Sequence, residues 1–411
     1  MRTIGGVGAL PRPVKALGLV SLLTDASSEM IYPLLPAFVT VTLRAGPAFL
    51  GVVEGAAEAV SSLVKVLAGR ASDRSPRRKP IVVAGYGLSS AVRPLVALAI
   101  APWHVLVVRL ADRIGKGARS APRDALLAEA TPAGERGRAF GFHRAMDHAG
   151  AVIGPLLATA VLWAYPDVRL VFALAALPAL ASFAVLVLGV REPARSAPRA
   201  KPASAAPGQP PVNPSLARYL AVLALFTLGN SSDAFLLLRA QEAGVPLAAI
   251  PALWAFHHLV KAAAGTHGGR LSDRWGKRAA IVSGWTVYAA AYAGFAAATT
   301  ARQVWALFAV YGLFYALTEG AERALVADLC DADTRGRAFG LFHAVTGGML
   351  LPASVLTGAL WQSHGPGLAL GFGAGLAALA AVALATVVPS SPGGEGAAIW
   401  PEDAPPRAGN E

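Results

Sequence analysis

Carboxylates stand inside apolar stretches of this sequence, where an unpaired charge is costly, and they are the first place to look for chemistry. Asp25 and Glu29 lie one helical turn apart in an apolar run, on one face of the helix it would form. Asp147 lies in another run, between Arg144 and His148. A carboxylate balanced between burial and a neighbouring cation can load and release a proton. Asp25, Glu29 and Asp147 are therefore proton-coupling candidates. A third run carries Arg109, Asp112, Arg113, Lys116, Arg119 and Arg123. At helical spacing these project within an arc of roughly 120°. Exposing that stripe to lipid would cost on the order of 10 kcal/mol, so it faces protein or a water-filled cavity. Arg109, Asp112, Lys116, Arg144, His148 and Asp233 are the substrate-cavity candidates. Structural pairing of Asp112 or Asp147 with a nearby arginine is the competing role.

Other chemistry finds little footing. The sequence has no nucleotide-binding loop, HExxH zinc motif or nucleophile elbow, so no enzyme and no cofactor are expected. His143 and Asp147 have chelating spacing, but His257 and His258 are adjacent and point about 100° apart. With Cys330 as the only cysteine, no metal site is expected. The net charge of +12 does not indicate nucleic acid, because the Lys and Arg residues cluster at the ends of apolar segments.

The elements that position these residues follow from hydropathy. Of 411 residues, 55% are hydrophobic and 15% charged, with the charges in short dense clusters between long apolar stretches. A membrane-crossing helix needs about 20 mainly apolar residues. Twelve such segments are predicted, at 16–42, 47–69, 80–100, 103–126, 137–163 and 168–190, then 215–240, 247–269, 279–299, 303–328, 337–361 and 367–388. The fold class is an all-α membrane protein. Its domains are an N-terminal six-helix bundle at 1–190 and a C-terminal one at 215–390. A Pro/Ala/Ser-rich linker at 191–214 joins them, and a Pro/Gly-rich tail at 391–411 is expected to be disordered. The apolar run near the N-terminus carries Asp25 and Glu29 and lacks a small-x-small cleavage site, so no cleaved signal is expected. Basic residues crowd the loops after segments 2 and 8, which places both termini and the linker in the cytoplasm.

The two halves repeat each other. Gly69-Arg70-Ala71-Ser72-Asp73-Arg74 recurs as Gly269-Arg270-Leu271-Ser272-Asp273-Arg274. Arg136 to Gly141 recurs as Arg335 to Gly340, with ALLAE at 125–129 matching ALVAD at 324–328. A weaker echo pairs Ser27-Ser28-Glu29 with Ser231-Ser232-Asp233. Two like-topology bundles place a binding site between them, near the bilayer midplane.

These motifs resemble the major facilitator superfamily over nearly the whole chain. Its signature, Gly-x-Leu-x-Asp-Arg-x-Gly-Arg-Arg/Lys, is matched by Gly269, Leu271, Asp273, Arg274, Gly276, Lys277 and Arg278. The first copy keeps Gly69, Asp73, Arg74, Arg77, Arg78 and Lys79, but has Ala71 and Pro76 where the signature has Leu and Gly. The resemblance implies that these residues gate access between two states. Gly141, Gly150, Gly154 and Pro155 resemble a helix 5 antiporter signature, which ends in Gly where this chain has Ala158. That implies proton-coupled export. Arg113 with Gly117 resembles a helix 4 signature tied to proton transfer, with Lys116 in place of Gln and Arg109 as the other possible equivalent. Residues 24–33 resemble a prokaryotic subgroup of the superfamily. The function implied is alternating-access transport, with protons exchanged for an exported small organic solute or drug across the cytoplasmic (inner) membrane by a monomer. The alternatives are uptake or exchange of an anionic metabolite, then metal-ion transport or a non-transporting receptor.

Overall fold

The computed structural model describes residues 10–75, 77–132, 135–192, 213–330 and 334–388. Most of the expected linker and the whole expected tail lie outside the described residues.

Helical rods run back and forth along one axis, twelve in number among the described residues. In the first half they are α1 (12–42), α2 (Pro47–Arg74), α3 (Lys79–Leu98), α4 (Pro102–Glu129), α5 (Arg136–Ala164) and α6 (Val168–Gly189). In the second they are α7 (Pro214–Glu242), α8 (Ile250–Trp275), α9 (Lys277–Ala297), α10 (Ala301–Asp328), α11 (335–364) and α12 (366–387). The last two meet at Gly365, whose φ of 85° suits glycine and is followed by Pro366, which cannot continue the helical ladder. Proline starts α2, α4 and α7 within the first turn, where its missing N–H costs nothing. Trp163, Leu188 and Ile100 stay largely exposed on the periphery, as expected of a surface solvated by lipid.

Among the described residues, eight stretches, with α11 and α12 taken together as one, are long and apolar enough to cross a membrane on length and composition. The other three, α1, α2 and α4, carry Asp25 and Glu29, Glu54 and Glu58, and the arginine stripe. Their inner charges lower the mean hydropathy, and the same charges build the interior described below.

Two departures from the sequence expectation matter. Hydropathy puts the signature after segment 2 in a loop, but the helix continues through Arg74, so Gly69, Asp73 and Arg74 form its last turns. Gly269, Asp273 and Arg274 likewise end α8. Apolar content stops where the membrane stops, but backbone hydrogen bonding continues through Ala, Arg and Ser, which tolerate helix in water. Two rods are also irregular at mid-length. α1 is regular over Arg12–Ile31, then tightens at Tyr32–Leu34 and widens at Phe38–Thr42, with Pro33 and Pro36 breaking the ladder. α7 is interrupted between Gly229 and Ala234.

The bundles meet most closely along α2 and α11. A Cβ on Gly51 would collide with the Ser354 carbonyl, and one on Gly55 would lie 2.9 Å from the Leu351 Cα. Gly358 lies against Pro47 and Ala48, and Gly347 against Ser62. This small-residue contact begins at the end of the molecule away from the basic loops and reaches past its middle. Beyond it the halves part. A Cβ on Gly336 or Gly340 of α11 would meet nothing within 4 Å, and Asp73 is 63% exposed. The bundle is shut at the far end and open at the basic end.

Candidate functional site

The parting of the bundles leaves a cavity of about 310 Å³ at mid-depth. Its wall takes Glu29 from the last regular turn of α1 and Tyr32 from where that helix turns irregular, and Glu54, Glu58 and Arg113 from α2 and α4. From the second half come 230–233, Trp254, His258, Tyr315 and Ser354. The interruption of α7 is thus part of the wall. Its freed carbonyls are satisfied from behind: Tyr288 donates to Gly229 O at 3.1 Å and Tyr292 to Ser231 O at 3.5 Å. A broken helix is tolerated at such depth where it lines a cavity and its backbone finds partners.

Three of the sequence candidates, Glu29, Arg113 and Asp233, line this cavity. Glu29 accepts from the Trp254 indole N–H at 2.8 Å, a bond across the two halves. Asp233 accepts from the Tyr311 and Tyr315 hydroxyls at 2.5 and 3.2 Å. Arg113 pairs with Glu58 at 3.2 Å. The weak echo of Ser-Ser-acid between the halves therefore sets two carboxylates into one cavity.

Arg109 and Asp112 do not line the cavity as the sequence suggested. Arg109 grips Glu54 through contacts of 2.7 and 2.8 Å. Asp112 accepts from Arg93 at 2.9 Å, and Arg93 also donates to Thr24 O at 3.1 Å. Both pairs are buried, and they join α2 to α4 and α3 to α4 and α1. Lys116 is exposed, one turn nearer the basic end. Arg144 and His148 line a second cavity of about 450 Å³ with Lys261, Glu319 and Arg323, toward the basic end. Asp25 packs against α5 where Gly150 leaves room. Asp147 accepts from Ser21 and lies 3.6 Å from His143 Nδ1. Asp25 and Asp147 thus sit at the α1–α5 contact, and Glu29 alone of the three carboxylates lines the central cavity.

Sequence reasoning missed Arg93, which stands where Pro94 tightens α3 into a 3₁₀ turn, and the donors Trp254, Tyr311 and Tyr315. Aromatic residues in apolar helices read as core, and nothing local marks their polar tips as aimed at a carboxylate. Glu54 carried a signal, as an acid in an apolar run.

The helix 5 glycines have a packing role. Side chains at Gly150 and Gly154 would collide with the Leu22 and Ala26 carbonyls of α1, and Pro155 is buried beside them. Gly141 faces open space in the second cavity. At the basic end, Arg78 pairs with Glu129, donates to Ser72 Oγ at 3.1 Å and lies 3.7 Å from Asp73. Its backbone N–H donates to Glu192 at 2.5 Å. In the second half Lys277 pairs with Asp328, the residue matching Glu129 in the repeat, and Arg278 donates to Val388 O at 2.7 Å. Gly276, at φ 85°, makes the turn between α8 and α9. Arg77, Asp273, Arg274 and Gly269 are exposed. Among the described residues no three of His, Cys, Asp and Glu converge as metal ligands.

This architecture has known counterparts. The family model described as Major Facilitator Superfamily matches residues 17–257 and 240–407. The chain belongs to the major facilitator superfamily. It is 34% identical over 360 residues to the MFS-type transporter MJ1317 of Methanocaldococcus jannaschii, covering 86% of this chain and 89% of that one. A shorter match, 28% over 159 residues, joins it to the multidrug resistance protein MdtH of Yersinia enterocolitica and covers 38% of this chain and 39% of that one. Among solved structures, a bacterial homologue of the human lysosomal transporter Spinster superposes with a TM-score of 0.67 at 19% identity, covering 91% and 94% of the two chains. The protein is a multi-pass membrane protein of a transporter superfamily and not an enzyme. The major facilitator fold explains why the repeated motifs sit at matching places in both bundles.

Proposed function

We propose that this protein is a proton-coupled antiporter that exports a small organic solute across the cytoplasmic membrane by rocking its two bundles. One observation carries the reading: Glu29 and Asp233 face one central cavity from opposite halves, held by neutral N–H and O–H donors and, among the described residues, by no cation. Carboxylates so placed can take up either a proton or a positively polarised solute group, and mutual exclusion of the two is the logic of exchange. The likeness to MdtH agrees with efflux. The anionic-metabolite reading draws no support from the cavity, since Arg113 is already paired with Glu58. In this reading Arg78 with Asp73 and Glu129, and Lys277 with Asp328, brace the basic end of each bundle and rearrange when the two bundles meet there.

The test is solute transport in proteoliposomes. Glu29→Gln and Asp233→Asn should each lose proton-driven accumulation by about tenfold or more, yet keep solute counterflow, which needs no net proton movement. Asp25→Asn and Asp147→Asn, lying at the α1–α5 contact, should lower the amount of folded protein instead. Full gradient-driven transport in the Glu29/Asp233 double variant would move the coupling site elsewhere.

Topology is checked separately. Twelve membrane crossings with both termini and the 191–214 linker in the cytoplasm follow from the loop charges. Reporters fused at Gly208 and Glu411 should both report a cytoplasmic location. An external signal at either site would overturn the arrangement and reverse the direction in which the cavity opens.

A further inference from the structure

We infer that the central cavity selects organic cations: a compact ammonium or amidinium head carried on an aromatic or otherwise apolar body. This rests on the reading of that cavity as the transport site and names what it takes. Four carboxylates and one guanidinium stand in the wall. Two of the four are already neutralised, Glu54 by Arg109 from behind and Glu58 by Arg113. Lys261, on α8 one turn beyond His258, lies 3.5 Å from Glu319 and with its Nζ 4.0 Å from the Tyr315 ring centroid, so it serves the second cavity. Glu29 and Asp233 face the space with no cation paired to either among the described residues. Each has only neutral donors among its hydrogen bonds, and an ionised carboxylate offers about four acceptor sites. A cation between them would complete a charge balance that the protein leaves open.

The rest of the wall fits the body of such a molecule. Tyr32 and Trp254 stand side by side with ring centroids 5.4 Å apart, and Tyr315 closes the adjoining wall. Aromatic faces attract cations as well as apolar surface, more strongly once water is excluded. Three polar atoms are buried without a partner and belong to residues of this wall: Arg113 Nε, Ser231 Oγ, on a residue only 2% exposed, and His258 Nε2. Buried polar atoms in native proteins are rarely left unpaired, so they mark where a ligand's own polar group, or water around it, belongs. A volume of about 310 Å³ holds a molecule of roughly a dozen non-hydrogen atoms with some room for water.

The experiment is equilibrium binding to the full chain in lipid nanodiscs, without any gradient. Three aromatic probes of similar size carry heads of different charge: benzyltrimethylammonium, its uncharged carbon isostere neopentylbenzene, and benzenesulfonate. The cation should bind at least about tenfold more tightly than the other two. Glu29→Gln and Asp233→Asn should each weaken the cation by about tenfold or more and leave the weak binding of neopentylbenzene unchanged. Benzenesulfonate binding as tightly as the cation would overturn the inference, and that comparison needs no variant. So would a Glu29→Gln/Asp233→Asn double variant with wild-type cation affinity. The proton released on binding, read in weakly buffered solution, separates the two readings. Cation binding with no proton release keeps the cation assignment and defeats proton exchange. Proton-coupled transport of the sulfonate does the reverse.

Discussion

Replacing Asp112 by alanine should cost the protein about 3–5 kcal/mol of stability, the usual penalty for stranding one member of a buried ion pair. Asp112 and Arg93 are each about 6% exposed at the side chain. Arg93 donates twice to one Asp112 oxygen, at 2.9 and 3.3 Å, and once to the Thr24 carbonyl. Three helices of the first bundle are thereby held at one point, and burial keeps solvent from a guanidinium left alone there. The measurement is thermal unfolding of the purified protein in a fixed detergent, with Asp112→Ala, Arg93→Met and the double variant Arg93→Met/Asp112→Leu. The double variant should recover most of the loss, since two apolar side chains of similar volume leave no buried charge behind. A single variant as stable as the parent would mean that the site is hydrated and that Asp112 belongs to the cavity after all. Any transport defect of Asp112→Ala should follow the loss of folded protein. Glu29→Gln should show the opposite pattern, with a transport defect and little loss of stability.

Widening Gly51 to valine should jam the far end of the molecule open and drop transport by about tenfold or more. The Cβ of any residue there meets the Ser354 carbonyl and lies 3.3 Å from the Val355 Cα. Backbone atoms cannot swing aside as a side-chain tip can. Overpacking of this kind costs about 1–3 kcal/mol, and that cost falls only on the conformation in which α2 and α11 touch. The equilibrium between the two access states should therefore shift by a factor of roughly 5–150 toward the one open at the far end. The readout is a cysteine at Ser232, in the wall of the central cavity, after the native Cys330 has been changed to serine. A membrane-impermeant maleimide added to the face opposite the basic loops should label Ser232→Cys slowly in the parent and fast with Gly51→Val. Equal rates in both would show that the α2–α11 contact does not close the far end.

The number and order of the helical segments are legible without any coordinates, because each is a run of membrane length bounded by charge and mainly apolar, even where α1, α2 and α4 carry inner charges. So is the duplication, and with it the correspondence of Glu129 and Asp328, each of which takes a basic partner from the signature of its own half. That the arginine stripe of α4 turns away from lipid is equally legible, since helical periodicity and the cost of a charge in hydrocarbon act within a single segment. Where each charge points inside the bundle is not. Arg109, Asp112 and Arg113 share a face of one helix, yet they pair with Glu54, Arg93 and Glu58 from two others, and only Arg113 reaches the cavity. Glu29 and Asp25 share a face of α1, but one meets Trp254 across the cavity and the other is pressed against Gly150. These outcomes depend on how far each helix is rotated and how closely its neighbours approach. That is fixed by packing between segments more than a hundred residues apart, as with Gly150 and Gly154 on α1 or Gly51 on α11. Local sequence records which residues must avoid lipid, and the assembled bundle alone settles which partner, or which empty space, each of them finds there.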